Sequence, residues 1–129
     1  MQNIKKIIYR NAVLFAAGWA LVIFILCATP GRYIPSANWL ELLSFDKFVH
    51  ASIFFTLTAL LFVVAIKYKK QAKVFALFFM LAVAYGGLLE MMQAKCFSDR
   101  SADWADMAAN TFGCVIAILC LKKLKSIFG

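Results

Sequence analysis

The chain has 129 residues, 64% of them hydrophobic, a mean hydropathy of +0.84 and fourteen Lys and Arg against six Asp and Glu. One domain of this size cannot hide so much apolar surface from water, so a freely soluble globule is excluded and a bilayer must cover part of it. The basic excess sits between apolar stretches, which fits topology determinants beside anionic headgroups and argues against a nucleic-acid partner.

Four apolar stretches follow one another, and together they predict a single all-α membrane domain over residues 1–129, an antiparallel four-helix transmembrane bundle. Its helices are expected at about 9–29, 46–66, 73–93 and 103–122. The first stretch ends at Pro30-Gly31 and exceeds the 7–15 apolar residues of a signal peptide, so it is expected to remain as a span. The longest connection runs from Pro30 to Phe45 and is expected to lie along the outer surface, with a short interfacial helix at Trp39 to Leu43. The second stretch, Phe48 to Ile66, carries no full charge, and the third runs from Val74 through Leu89 into Glu90 and Gln93. The fourth covers Met107 to Leu121.

Charge sets the orientation. Lys5, Lys6, Arg10, Lys67, Lys69, Lys70, Lys73, Lys122, Lys123 and Lys125 fall on one side, with no acid among them. The other side has Arg32, Lys47, Lys95 and Arg100 with all six acids. The positive-inside rule makes the first side cytoplasmic, with both termini on it, as in a bacterial inner membrane.

Polar residues enter the helices in register. Asp46 and His50 are four apart; Gly86, Glu90 and Gln93 fall at i, i+4 and i+7; Asp103, Asp106 and Asn110 at i, i+3 and i+7. At 100° per residue each set occupies one narrow stripe. All three stripes lie near the outer ends of their helices. Ionisable groups at that depth are costly unless they face a bundle interior and find partners, so they are expected to converge. Arg100 is expected to bridge to Glu90, Asp103 or Asp106, since a forked guanidinium can serve two carboxylates. Simpler roles exist for some: Asp46 as an N-cap, Lys47 snorkelling, Asp103 and Asp106 complementing a helix dipole.

Other chemistries lack a pattern. Cys27, Cys96, Cys114 and Cys120 form no CxxC, and only Cys27 and Cys96 fall on the oxidising side, where a disulfide between them is left open. No HExxH or comparable metal pattern and no Gly-rich phosphate loop is present, so no metal or cofactor is assigned.

Asp46-Lys47 with His50, Gly86 with Glu90 and Gln93, and Arg100-Ser101-x-Asp103-x-x-Asp106-x-x-x-Asn110-x-x-Gly113 resemble the motifs of the VanZ-like membrane proteins, in that family's order and spacing over the last two-thirds of the chain. The resemblance implies a four-helix membrane fold and an extracytoplasmic site built from Asp46, Lys47, His50, Glu90, Gln93, Arg100, Ser101, Asp103, Asp106 and Asn110. It also implies an accessory protein that binds or modifies an envelope component or glycopeptide antibiotic, the namesake being linked to teicoplanin resistance. Lys47 and Arg100 would hold an anionic group while Gln93 and Asn110 orient it. The alternative is a membrane-embedded hydrolase or transferase on a lipid-linked or cell-wall substrate, with His50, Glu90 or Asp106 as catalytic candidates.

Overall fold

The structure, a computed structural model, describes residues 1–28, 39–95 and 104–129, with the backbone alone over 39–46. Arg100, Ser101, Asp103 and Cys96, and the side chain of Asp46, therefore lie outside the described residues, and so do the expected Arg100 ion pair and the Cys27–Cys96 question. The described residues are all-helical, without a strand: α1 (Gln2–Arg10), α2 (Ala12–Ala28), α3 (Trp39–Lys67), α4 (Ala72–Lys95), α5 (Trp104–Leu119) and α6 (Leu121–Phe128).

Two helices are long and apolar enough to cross a membrane unaided, over Lys47–Lys67 and Ala72–Lys95. α1 with α2, and α5 with α6, pass the same test only as pairs, and they are bent by 79° and 53°. The described residues thus carry two to four candidate membrane spans. α2 shows why lipid is its natural solvent. It is apolar all round, yet only Ala12, Ala16 and Ile23 are buried, while Leu14, Leu21, Ile25 and Leu26 stand exposed.

The bends are where the structure departs from the expected spans. The stretch expected at about 9–29 breaks at Asn11, whose backbone lies at φ −106° and ψ 23°. α1 buries nothing and carries Ile4, Ile7 and Ile8 along one edge with Lys5, Lys6 and Arg10 elsewhere. Lys67 at the end of α3 donates to the Arg10 carbonyl at 2.6 Å, satisfying an orphan acceptor of the terminated helix. The fourth stretch breaks at Cys120, and its basic end becomes the separate α6. The helix expected at Trp39 to Leu43 is not separate but continuous with α3.

Between α3 and α4 the chain reverses in a tight cap. Lys69 N–H donates to Ile66 O and Lys70 N–H to Ala65 O, at 3.0 and 2.9 Å, a Schellman pattern. Its left-handed residue is Lys69, at φ 48°, where glycine is usual.

Packing is most extensive between α3 and α5, and small residues explain it. A β-carbon on Gly113 would lie 2.0 Å from the Ala51 carbonyl oxygen, so the backbones of α3 and α5 meet where no side chain fits. Lipid gives helices little hydrophobic reason to associate, which leaves close packing and interhelical hydrogen bonds to hold them. The buried core follows suit. One cluster joins Ile23, Phe54, Leu57, Ala82, Leu89 and Cys114; a second, toward α6, joins Phe62, Ala65, Ile66, Phe75 and Ala117. Among the described residues, polar bonds tie α2 to its neighbours. Trp19 Nε1 donates to Ile53 O at 3.0 Å, Tyr85 Oη to Ala20 O at 2.7 Å and Gln93 Nε2 to Cys27 O at 3.2 Å.

Candidate polar site at the ends of three helices

α3, α4 and α5 each present polar side chains near one end of the bundle, and the structure brings five of them together. Lys47 and His50 come from α3, Glu90 from α4, and Asp106 and Asn110 from α5. The spacing explains the convergence. Lys47 and His50 are one turn apart, as are Asp106 and Asn110, and the two pairs face each other between the packed α3 and α5.

The contacts are specific. Lys47 Nζ makes a charge-assisted hydrogen bond and ion pair with Asp106 Oδ1. His50 Nδ1 lies 3.0 Å from Asn110 Oδ1. An amide oxygen only accepts, so Nδ1 carries the proton and donates, and in the neutral ring Nε2 is left with its lone pair. That Nε2 faces Asp106 Oδ2 at 3.8 Å. The Glu90 carboxylate completes the group: one ligand atom from each of His50, Glu90 and Asp106 lies within 4.8 Å of the other two.

Burial is deep for such polar groups. Glu90 and Asn110 are each 3% exposed, and the Lys47 and Asp106 side chains 25% and 15%. Below them Phe54 forms an apolar floor. Its ring sits so close to Gly86 that a β-carbon there would lie 3.0 Å from it and 3.3 Å from Asn110 Nδ2. Gly86 is thus the residue that lets α4 close on the site. No buried side-chain nitrogen or oxygen among the described residues lacks a hydrogen-bond partner, so the network is internally satisfied.

Three residues with expected roles make contacts that the spacing alone does not reveal. Lys47, expected to snorkel or to hold an anionic ligand, is engaged by Asp106. Gln93, 2% exposed, donates to the Cys27 carbonyl in the last turn of α2. Asp106 lies in the first turn of α5, where an acid complements the helix dipole, and its two oxygens also face Lys47 and His50. The Phe54 floor was not foreseen, because an aromatic in an apolar run gives no sign of lying beneath a polar group.

A cavity of about 850 Å³ lies elsewhere. It is an apolar cleft of α2, α3 and α4, lined among others by Leu21, Phe24, Leu57, Leu81 and Leu88. Glu90 lies two residues past Leu88 and so about 200° round the helix from it. The cleft and the polar site therefore use opposite faces of α4.

The cluster draws Lys47, His50 and Glu90 from the two helices that are long and apolar enough to cross a membrane, and Asp106 and Asn110 from α5. No family model, curated protein or solved structure matches this chain. The likeness to the VanZ-like proteins rests on the motif residues alone.

Proposed function

We propose that the chain is a VanZ-like accessory protein of the bacterial inner membrane, an antiparallel four-helix bundle with both termini cytoplasmic, that binds a polar envelope component or glycopeptide at its outer mouth. The observation that carries this reading is the convergence of Lys47, His50, Glu90, Asp106 and Asn110 from three helices at one end of the bundle. Ionisable side chains are rarely retained in spans without a task, and this group combines a cation, two carboxylates, an imidazole and an amide. The ten basic residues at the other end support an outward-facing cluster by the positive-inside rule. On this reading the amphipathic α1 and α6 lie along the cytoplasmic surface, which accounts for the bends that separate them from their spans.

The enzymatic reading is favoured by one observation. Asn110 fixes the His50 ring with Nε2 toward the acids, the arrangement of an oriented general base. That reading makes the protein a hydrolase or transferase of a lipid-linked or cell-wall substrate.

One experiment addresses both. The full chain in lipid nanodiscs is titrated with teicoplanin and, separately, with a polyprenyl-linked muramyl-peptide precursor, and the mixtures are examined by mass spectrometry. Saturable binding of either, weakened about tenfold or more in His50→Ala, supports the accessory role. A new product that disappears in His50→Ala supports the enzyme. Binding of neither, with no product, contradicts both.

A further inference from the structure

We infer that the apolar cleft between α2 and α4 holds one acyl chain of an anionic phospholipid, whose headgroup rests against Arg10 and Lys67. α2 and α4 each pack on α3 and touch one another far less, so the cavity of about 850 Å³ opens between them. α3 forms its floor, at Leu57 and Val64 among others. Small side chains, Ala17 on α2 and Ala84 on α4, keep the walls apart. Leu81 and Leu88 on the α4 wall are each more than half exposed. The lining has one polar side-chain atom, Tyr85 Oη, and it donates to Ala20 O at 2.7 Å. Water finds no partners in such a space. α4 is a candidate membrane span, and so is α2 together with α1, so hydrocarbon is what meets the cleft.

Width and charge identify the occupant. From Val13 to Phe24 the cleft follows α2 for about 16 Å, so its mean cross-section is about 50 Å². A helix about 10–12 Å across needs about 80–110 Å², so the cleft admits an alkyl chain and not a neighbouring helix. One end of the cleft is basic. Val13 lies one turn past Arg10, and Val64 one turn before Lys67. Lys67 Nζ donates to the Arg10 carbonyl at 2.6 Å, which brings the two basic residues together there. That bond uses one of three ammonium protons, and Arg10 is exposed. No Asp or Glu falls within residues 1–40, 47–89 or 107–129, so no acidic side chain of those segments competes for them. At the opposite end Gln93 Nε2 donates to Cys27 O at 3.2 Å, one turn beyond Phe24, and joins α2 to α4. Lipid tails are as apolar as leucine, so hydrocarbon contact alone selects no lipid. A phosphate against two cations does. Cleft and polar cluster use opposite faces of α4, so the lipid site stands or falls apart from the cluster.

The full chain in a delipidating detergent is titrated with phosphatidylglycerol and with phosphatidylcholine of the same chains, and bound lipid is counted by native mass spectrometry. One phosphatidylglycerol per chain is expected, held about tenfold or more tightly than phosphatidylcholine. Glycerol phosphate, the headgroup without its chains, should not compete. Arg10→Gln should erase most of the preference between the two lipids. Ala17→Phe and Ala84→Phe, which fill the cleft from opposite walls, should each weaken both lipids about tenfold or more. Val22→Phe, at an exposed position of α2 outside the cleft, should change neither. Helical content by circular dichroism shows whether each variant folds, and the lipid preference of the native chain decides the matter if none does. Equal retention of both lipids, or retention indifferent to folded Ala17→Phe and Ala84→Phe, overturns the site. So does a lipid-free dimer that Ala17→Phe dissociates, which makes a second copy the occupant.

Discussion

Gly113 of α5 lies against Ala51 of α3 so closely that a β-carbon on it would come within 2.0 Å of the Ala51 carbonyl oxygen and 2.9 Å of the Phe55 nitrogen. Both obstacles are backbone, so neither can rotate away. Asn110 and Asp106 lie one and two turns further along α5, and they reach His50 and Lys47 only because the helices cross at this distance.

Gly113→Ala should therefore push α3 and α5 apart and destabilise the protein by about 1–3 kcal/mol. Gly18→Ala is the matched control. Nothing lies within 4 Å of a β-carbon at Gly18, and alanine is the better helix former by up to about 1 kcal/mol. Thermal unfolding in one detergent compares the two directly. Equal stability of Gly113→Ala and the native chain would rule out the close crossing.

Lys47 and Asp106 should be energetically coupled. Their side chains are 25% and 15% exposed, between a surface pair and a buried one. Losing either partner is expected to cost about 1–3 kcal/mol, less than a fully buried pair because solvent reaches both. A cycle of Lys47→Met, Asp106→Asn and the double variant measures the coupling by unfolding. The double variant should be more stable than the sum of the two losses predicts. Strict additivity would mean that the two charges do not meet.

Much of this arrangement can be read from local pattern. Long apolar runs over Phe48 to Ile66 and Val74 to Leu89 fall within α3 and α4, because bilayer thickness imposes a length that composition reveals. Gly86, Glu90 and Gln93 are all buried, as a single stripe at 100° per residue requires. What the pattern lacks is information about partners. Glu90 and Gln93 share the stripe, but Glu90 meets α3 and α5 while Gln93 reaches across to Cys27 on α2. Three residues separate them, and about 60° of arc decides between two neighbours. Lys47 looks like a snorkelling lysine until α5 brings Asp106 to it from 59 residues away. The bends at Asn11 and Cys120 carry no proline or glycine. They arise where a basic, amphipathic terminus meets an apolar span, and the exact residue is set by tertiary contacts such as Lys67 on Arg10 O.

Side-specific thiol labelling tests most directly the proposal that the polar cluster opens to the outside of the membrane. In a background lacking native cysteines, single cysteines at Ala94, exposed near the cluster end of α4, and at Ser126, exposed on α6, are treated in intact cells with a membrane-impermeant maleimide. Ala94→Cys should label at once, and Ser126→Cys should label only after lysis. Labelling of Ser126→Cys in intact cells, with Ala94→Cys protected until lysis, would turn the molecule over and put the cluster in the cytoplasm, contradicting an extracytoplasmic ligand.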